Sequence, residues 1–278
     1  MKELFADVNG IKICYEIQGD GEPVILIHGF AMYKEFWFAQ IPELSKQFKL
    51  ITIDNRSAGK SDHPIESYEM DAFVEDVKGL MDYLKIKRAH IMGHSLGGMI
   101  AQNFALKYPD RLNKLVLIAT LPKFPGDISG LEMYKNSQLS DYKAKLKVPI
   151  KAFYAKMKQR FTRQFFKLMV QDPKRNFHGI FTTEDLIEYE KKGTSTPQDI
   201  INQTNAIAKH NTLNRLCEIK NKTLILTGEK DRLIPKSMGI KMSEELPNST
   251  LKILTGGHWF PLESAPEVNQ AIIEFLSH

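Results

Sequence analysis

Arg88-Ala89-His90-Ile91-Met92-Gly93-His94-Ser95-Leu96-Gly97-Gly98-Met99-Ile100-Ala101-Gln102 joins a short apolar run to the start of a helical pattern, and the joint is Gly93-His94-Ser95-Leu96-Gly97. A G-x-S-x-G match between a strand and a helix is the context that a nucleophile elbow requires. There the serine sits on a strained turn, the two glycines let backbones pass closely, and the free N–H groups of the new helix face the reacting centre. An ordinary glycine-rich turn fits the same five residues. The two readings part downstream, because only the elbow calls for an Asp and a His at later strand ends.

Outward from this stretch, buried strands recur. Pro23-Val24-Ile25-Leu26-Ile27 ends in His28-Gly29-Phe30, and Leu50-Ile51-Thr52-Ile53 ends in Asp54-Asn55-Arg56. Leu115-Val116-Leu117-Ile118-Ala119-Thr120 follows, then Thr223-Leu224-Ile225-Leu226-Thr227 and Thr250-Leu251-Lys252-Ile253-Leu254. Continuous apolar runs alternating with helical patterns indicate a parallel sheet covered on both faces. Residues 4–8 and 11–17 flank Asn9-Gly10 and predict an antiparallel hairpin. Helical spacing is read over residues 34–47 and 67–84, with a closing helix over 266–276. Asp54 and Arg56 are read as ordering their turn by ion pairing and hydrogen bonds.

The strand rhythm stops after Pro122 and resumes at Thr223, so residues 121–211 read as a helical insertion, with 1–120 and 212–278 forming one core domain. Within the insertion Ile150, Phe153, Tyr154, Met157, Phe161, Phe165 and Leu168 recur at helical spacing among lysines and arginines, which predicts one amphipathic basic helix. Two more helices are expected over 183–191 and 197–209, each after a capping residue. Residues 141–175 hold 11 Lys/Arg and 2 Asp/Glu, a local +9 against +5 for the whole 278-residue chain. The basicity is therefore local. It reads as the solvated face of a lid, or as a surface for acidic substrates, anionic lipid or a partner.

Hydrophobic residues at 42% and charged residues at 26% are ordinary for a globular domain. No apolar run approaches the roughly 20 residues of a membrane span, and the first seven residues lack an apolar signal core, so a cytoplasmic protein is expected. Cys14 and Cys217 are isolated, and the histidines lack metal-ligand spacing, so no metal is expected. No nucleic acid and no stable membrane insertion are expected, while a homodimer stays open.

Asp231, in Gly228-Glu229-Lys230-Asp231, and His258, in Gly256-Gly257-His258-Trp259, both follow strand ends. The order Ser95, Asp231, His258 is the one the elbow predicts, with His258 as base and Asp231 holding its tautomer. The backbone N–H groups of Phe30 and Leu96 are the natural oxyanion donors. His94 is expected to face away along the turn, in a packing or hydrogen-bonding role. His28 belongs to the oxyanion loop, and His63, His90, His178, His210 and His278 form no constellation. Trp37, Met157, Phe161 and Trp259 are candidates to line a pocket.

Taken together, His28-Gly29-Phe30, Asp54-Asn55-Arg56 with Gly59 and Ser61, Gly93-His94-Ser95-Leu96-Gly97-Gly98, Gly228-Glu229-Lys230-Asp231 with Pro235, and Gly257-His258 make the chain resemble the α/β-hydrolase-fold serine hydrolases. The resemblance spans nearly everything outside the insertion, and its Asp-Asn-Arg turn and Ser-Leu-Gly-Gly-Met-Ile-Ala-Gln helix start are most similar to enol-lactonases acting on 3-oxoadipate derivatives and to related carboxylesterases. It implies a mostly parallel, twisted sheet with helices on both faces and a helical lid. A serine nucleophile implies acyl transfer to water through an acyl-enzyme, with no metal or organic cofactor, and sets aside the relatives that attack with an aspartate. The expected substrate is a small carboxylic ester or lactone, anionic if the basic lid selects it. Thioesterase, carbon–carbon hydrolase and perhydrolase activity, and a ligand-binding receptor with slow turnover, are the alternatives. One departure is Ser57, where relatives usually have glycine.

Overall fold

The computed structural model describes residues 2–124, 126 and 128–278, the side chain of Ile128 excepted. Strands β1 (Leu4–Val8), β2 (Ile11–Gln18), β3 (Glu22–Ile27), β4 (Phe48–Ile53), β5 (Ala89–His94), β6 (Leu112–Ile118), β7 (Thr223–Gly228) and β8 (Ser249–Leu254) form one sheet. Its order is β1-β2-β4-β3-β5-β6-β7-β8. The hairpin β1–β2 pairs antiparallel and runs antiparallel against β4, and every other pair is parallel. The carboxyl ends of β3 to β8 therefore open on one edge, where a doubly wound sheet gathers its ligand-binding loops.

Adjacent residues of one strand serve different cores, since side chains alternate across a pleated sheet. Ile25, Ile27, Ile91, Leu115, Leu117 and Ile225 pack with helices α2 (Met70–Tyr83) and α3 (Leu96–Lys107) on one face. Val24, Leu26, Met92, Val116, Ile118, Leu224 and Leu226 face the other way. That second core takes in α1 (Ile41–Leu44) and the carboxyl-terminal helix, and it runs on without a break into the insertion.

The insertion carries α4 (Ile128–Lys147), α5 (Pro149–Arg160), α6 (Arg163–Gln171), α7 (Thr183–Lys192) and α8 (Pro197–Ala208), and the chain finishes with α9 (Lys236–Glu245), α10 (Phe260–Glu263) and α11 (Ala265–Ser277). It leaves and re-enters the core through a narrow neck, where Lys123 pairs with Asn211 and the Thr212 N–H donates to the Pro122 carbonyl at 2.7 Å. Thr182 with Asp185, and Thr196 with Asp199, close capping boxes at the starts of α7 and α8. Among the described residues, no helix is long and apolar enough to cross a membrane.

Two readings need correction. The basic amphipathic stretch is two helices, broken at Phe161, because the Thr162 side chain caps α6 and the Glu263 carboxylate holds the Thr162 N–H at 3.1 Å. Residues 34–47 are also divided, into a 3-10 turn over Lys34–Ala39 and the short α1.

Candidate active site

Ser95 lies between the end of β5 and the first residue of α3, with φ +55 and ψ −116. A side chain in this conformation is strained and persists only where the surroundings fix it. Here they do. The Ser95 N–H donates to the Ile118 carbonyl at 2.9 Å, and its own carbonyl accepts from Thr120 Oγ1 at 2.8 Å and the Gly98 N–H at 2.9 Å. The flanking glycines serve close approach: a Cβ on Gly93 would run into the Gly97 carbonyl, and one on Gly97 into that of Ile27.

Asp231 follows β7, and His258 follows β8. Asp231 Oδ2 lies 2.8 Å from His258 Nδ1, while Oδ1 accepts the N–H groups of Leu233 at 2.8 Å and Ile234 at 2.9 Å. Both oxygens of the carboxylate are thus engaged. Its contact places the imidazole proton on Nδ1 and leaves Nε2 with a lone pair, the tautomer a general base needs. Among the described residues no hydrogen bond joins Ser95 Oγ to His258, and in free enzymes such contacts tighten when substrate binds. Three loops are packed tightly enough to set these groups: the Lys230 N–H donates to the Gly256 carbonyl at 3.0 Å, and the Trp259 N–H to that of Arg160 at 3.0 Å.

Neither the Phe30 nor the Leu96 N–H has an acceptor among the described residues. Leu96 opens α3, and the Phe30 loop presses against the elbow so closely that a Cβ on Gly29 would lie 3.2 Å from Ser95 Cβ. His28 braces this loop from behind, with Nδ1 2.8 Å from the Gly29 carbonyl and Nε2 accepting the Asn55 N–H at 3.1 Å. Asp54 accepts the N–H groups of Lys34 and Lys60 at 2.7 and 2.9 Å, and Arg56 forks onto Asp76 at 2.6 and 2.7 Å. The departure at Ser57 has a direct cost: its φ of +61 is one that glycine adopts freely. Glu3, Glu16 and Glu35 also converge, but on the ammonium of Lys34, at 3.7, 3.5 and 2.9 Å.

The His94 ring turns toward the His258 loop rather than away: Nε2 donates to the His258 carbonyl at 3.0 Å, and the two ring centroids are 4.9 Å apart. Burial holds its pKa well below the usual histidine range. Burial likewise pushes His28 and His210 down to about 4. The depressed values mean that the unfolded chain takes up these protons first. Stability from the neutral rings is therefore complete above pH 6.5 and is lost as pH falls toward 4, by about 3 kcal/mol for each of His28 and His210. Asp54 and Asp76, raised by burial, titrate in the opposite sense. Urea unfolding of the parent and of His210→Gln at pH 7 and pH 4.5 isolates one ring. The variant should lose clearly less stability on acidification, and equal losses would reject the assignment.

Within the insertion, among residues of α4, α5 and α7, lies a cavity of about 150 Å³ lined by Phe153, Arg160, Tyr189 and Glu190, and Ala31 and Tyr33 are its lining residues from the core. Its lining excludes Ser95 and His258 themselves, but Ala31 is the residue after Phe30, and the Arg160 carbonyl accepts the N–H of Trp259, the residue after His258. Trp37, Met157, Phe161 and Trp259 do not line it: all four are buried in the second core, at most 1% exposed. Lys156 is neutralised by Glu190 at 2.7 Å and stands 5.5 Å over the Trp259 ring. Arg160, half-buried, has no hydrogen-bond or ion-pair partner for its guanidinium among the described residues, and burial lowers its pKa. Sequence reading does not set Arg160 apart from the other basic residues of the insertion, and it misses Glu263, which accepts the Gly257 N–H at 3.0 Å and so ties the residue before His258 to Thr162.

A sequence model described as the alpha/beta hydrolase fold matches residues 22–265. The chain belongs to that family. As an α/β hydrolase it is 30% identical over 282 residues to a 2-hydroxy-6-oxo-6-phenylhexa-2,4-dienoate hydrolase of Comamonas testosteroni, with 97% of this chain and 93% of the relative covered. Its structure is similar to that of a thermophilic esterase from Thermogutta terrifontis with malate bound, at TM-score 0.83 and 25% identity, covering 100% of this chain and 98% of the other. An enol-lactonase from Burkholderia xenovorans LB400 shares the fold at TM-score 0.84 and 22% identity, covering 99% and 100%. The hydrolase thus stands beside a relative named as a dienoate hydrolase and structures named as an esterase and an enol-lactonase.

Proposed function

We propose that the chain is a serine hydrolase acting on a small ester or lactone that carries a carboxylate, with residues 121–211 as its lid. The observation that carries this reading is the Asp231–His258 bond at 2.8 Å, set beside a serine held at φ +55. Ser95 Oγ attacks the acyl carbon and His258 Nε2 takes its proton, while Asp231 stabilises the imidazolium that forms. The negative charge on the former carbonyl oxygen is received by the Phe30 and Leu96 N–H groups, each worth on the order of 3 kcal/mol in the transition state. His258 returns the proton to the leaving alkoxide, and water then repeats the sequence on the acyl-enzyme.

Arg160 supports the anionic substrate. A half-buried guanidinium with no hydrogen-bond or ion-pair partner among the described residues, compensated only through space by Glu190, Asp231 and Asp141, is costly in the free protein, and a substrate carboxylate would pair with it. Arg160→Met should raise KM for a carboxylate-bearing ester about 100-fold, from a lost charge-assisted hydrogen bond of about 2–3 kcal/mol, and leave KM for its neutral methyl ester within about threefold. Equal changes for both would remove the carboxylate from the proposal.

A second reading, cleavage of a carbon–carbon bond beside a ketone, is favoured by the Comamonas relative, whose name gives it a dienoate substrate. Rates on p-nitrophenyl esters, a carboxylated enol-lactone and a vinylogous keto acid, each with Ser95→Ala alongside, separate the two. Turnover of the keto acid alone would select the second reading, and turnover unaffected by Ser95→Ala would end both.

A further inference from the structure

The oxyanion loop receives its shape from the insertion. After β3 ends at Ile27, residues 29–32 form a turn closed by the Met32 N–H to the Gly29 carbonyl at 3.3 Å, with Ala31 at φ +50. A residue with a Cβ relaxes from this region unless something holds it. Three insertion helices do so in succession. The Phe30 ring meets Tyr134 of α4 edge-on, centroids 5.5 Å apart; the Ala31 N–H donates to Gln203 Oε1 of α8 at 3.0 Å; and Tyr33 stacks on Tyr189 of α7 at 4.3 Å, its hydroxyl donating to the Tyr189 carbonyl.

Gln203 is the central contact. It is 2% exposed, and its Nε2 donates at 2.9 Å to the carbonyl of Ser57, a second residue at positive φ. One buried amide thus holds two strained loops of the core, one ending β3 and the other β4. Nearby, Asn202 Nδ2 donates to the Pro64 carbonyl at 2.9 Å, and His63 meets Asp199 at 2.8 Å, so α8 is itself fixed to the core.

We propose that Gln203 is a positioning residue, which clamps Ala31 so that the neighbouring Phe30 N–H is aimed at the oxyanion, making assembly of the oxyanion hole depend on docking of the insertion. The proposal rests on Ser95 being the nucleophile and Phe30 an oxyanion donor. Losing the clamp removes no side chain that lines the cavity and loosens a donor that acts only on the transition state, so the effect falls on kcat far more than on KM.

The test uses the full chain, p-nitrophenyl butyrate as substrate and butylboronic acid as a mimic of the tetrahedral anion. Gln203→Leu should lower kcat about 10- to 100-fold with KM within about twofold, and weaken the boronate by a similar factor. Amide exchange at Ala31 should quicken. Gln203→Glu keeps an acceptor for the Ala31 N–H and, with its buried carboxyl protonated, an O–H donor for the Ser57 carbonyl, and should recover kcat to within about fivefold of the parent. A Gln203→Leu protein that only melts earlier, with parental kcat and boronate affinity, overturns the proposal, and Gln203→Met carries the same test if the leucine variant fails to fold. Ser95→Ala, run in parallel, separates the two failures: if it retains parental turnover, the serine-hydrolase reading falls and takes this one with it.

Discussion

Ser95→Ala is expected to lower kcat on any accepted substrate by about 10⁴- to 10⁶-fold, because the base and the acid serve no purpose without the hydroxyl they activate. The melting temperature should barely move, since Ser95 is held by its backbone, through Ile118, Thr120 and Gly98, and alanine keeps those bonds. Ser95→Gly should be equally inactive but more stable than Ser95→Ala by about 1 kcal/mol, because φ +55 strains any residue with a Cβ and not glycine. Kinetics and urea unfolding of the two variants check both statements. More than about 1% of parental turnover in Ser95→Ala, with contaminating activity excluded, would remove the serine from the chemistry. A glycine variant no more stable than the alanine one would mean that the elbow is unstrained.

Asp231→Asn should cost about 10⁴-fold in kcat with little change in stability. The reason lies in the geometry of the carboxylate. Two backbone N–H groups, of Leu233 and Ile234, already bind Oδ1, so an asparagine must present its carbonyl oxygen to them and its NH₂ to His258. His258 Nδ1 then has to accept a hydrogen bond, the ring proton moves to Nε2, and the lone pair that should receive the serine proton is gone. Nitrogen NMR of the imidazole reads the tautomer directly, beside the rate. A variant that keeps above about a tenth of parental kcat would assign the acid elsewhere and return Asp231 to a loop-stabilising role.

The frame of this site was legible because it depends on short-range pattern. Continuous apolar runs marked the strands, and the polar residues just past them marked the loops that hold Ser95, Asp231 and His258. What stayed hidden depends on partners far along the chain. The spacing of Phe153, Met157, Phe161 and Phe165 continues smoothly through a helix break, because the break is made by Thr162 and by Glu263, which is 101 residues away. Periodicity also reports that a side chain is buried without saying what it faces. Trp37, Met157, Phe161 and Trp259 face solid core, while the cavity belongs to Phe153, Arg160 and Tyr189. Nothing local separates Arg160 from the ten other basic residues between positions 141 and 175. Nor does anything local separate Gln203 from the other polar residues of α8, and its contacts reach back 146 and 172 residues.

The narrow neck at Lys123 and Asn211 bears on how such proteins diversify. Because the strands that enter and leave the insertion are already neighbours, one cap could replace another by recombination at two adjacent points without disturbing the sheet. Yet the cap also holds residues 30–33, so a transplanted one brings new selectivity and must also bring its own grip on that loop. Grafted chimeras would then divide into those that fold and stay inert and those that fold and turn over, according to whether the donor cap supplies a buried acceptor opposite residue 31.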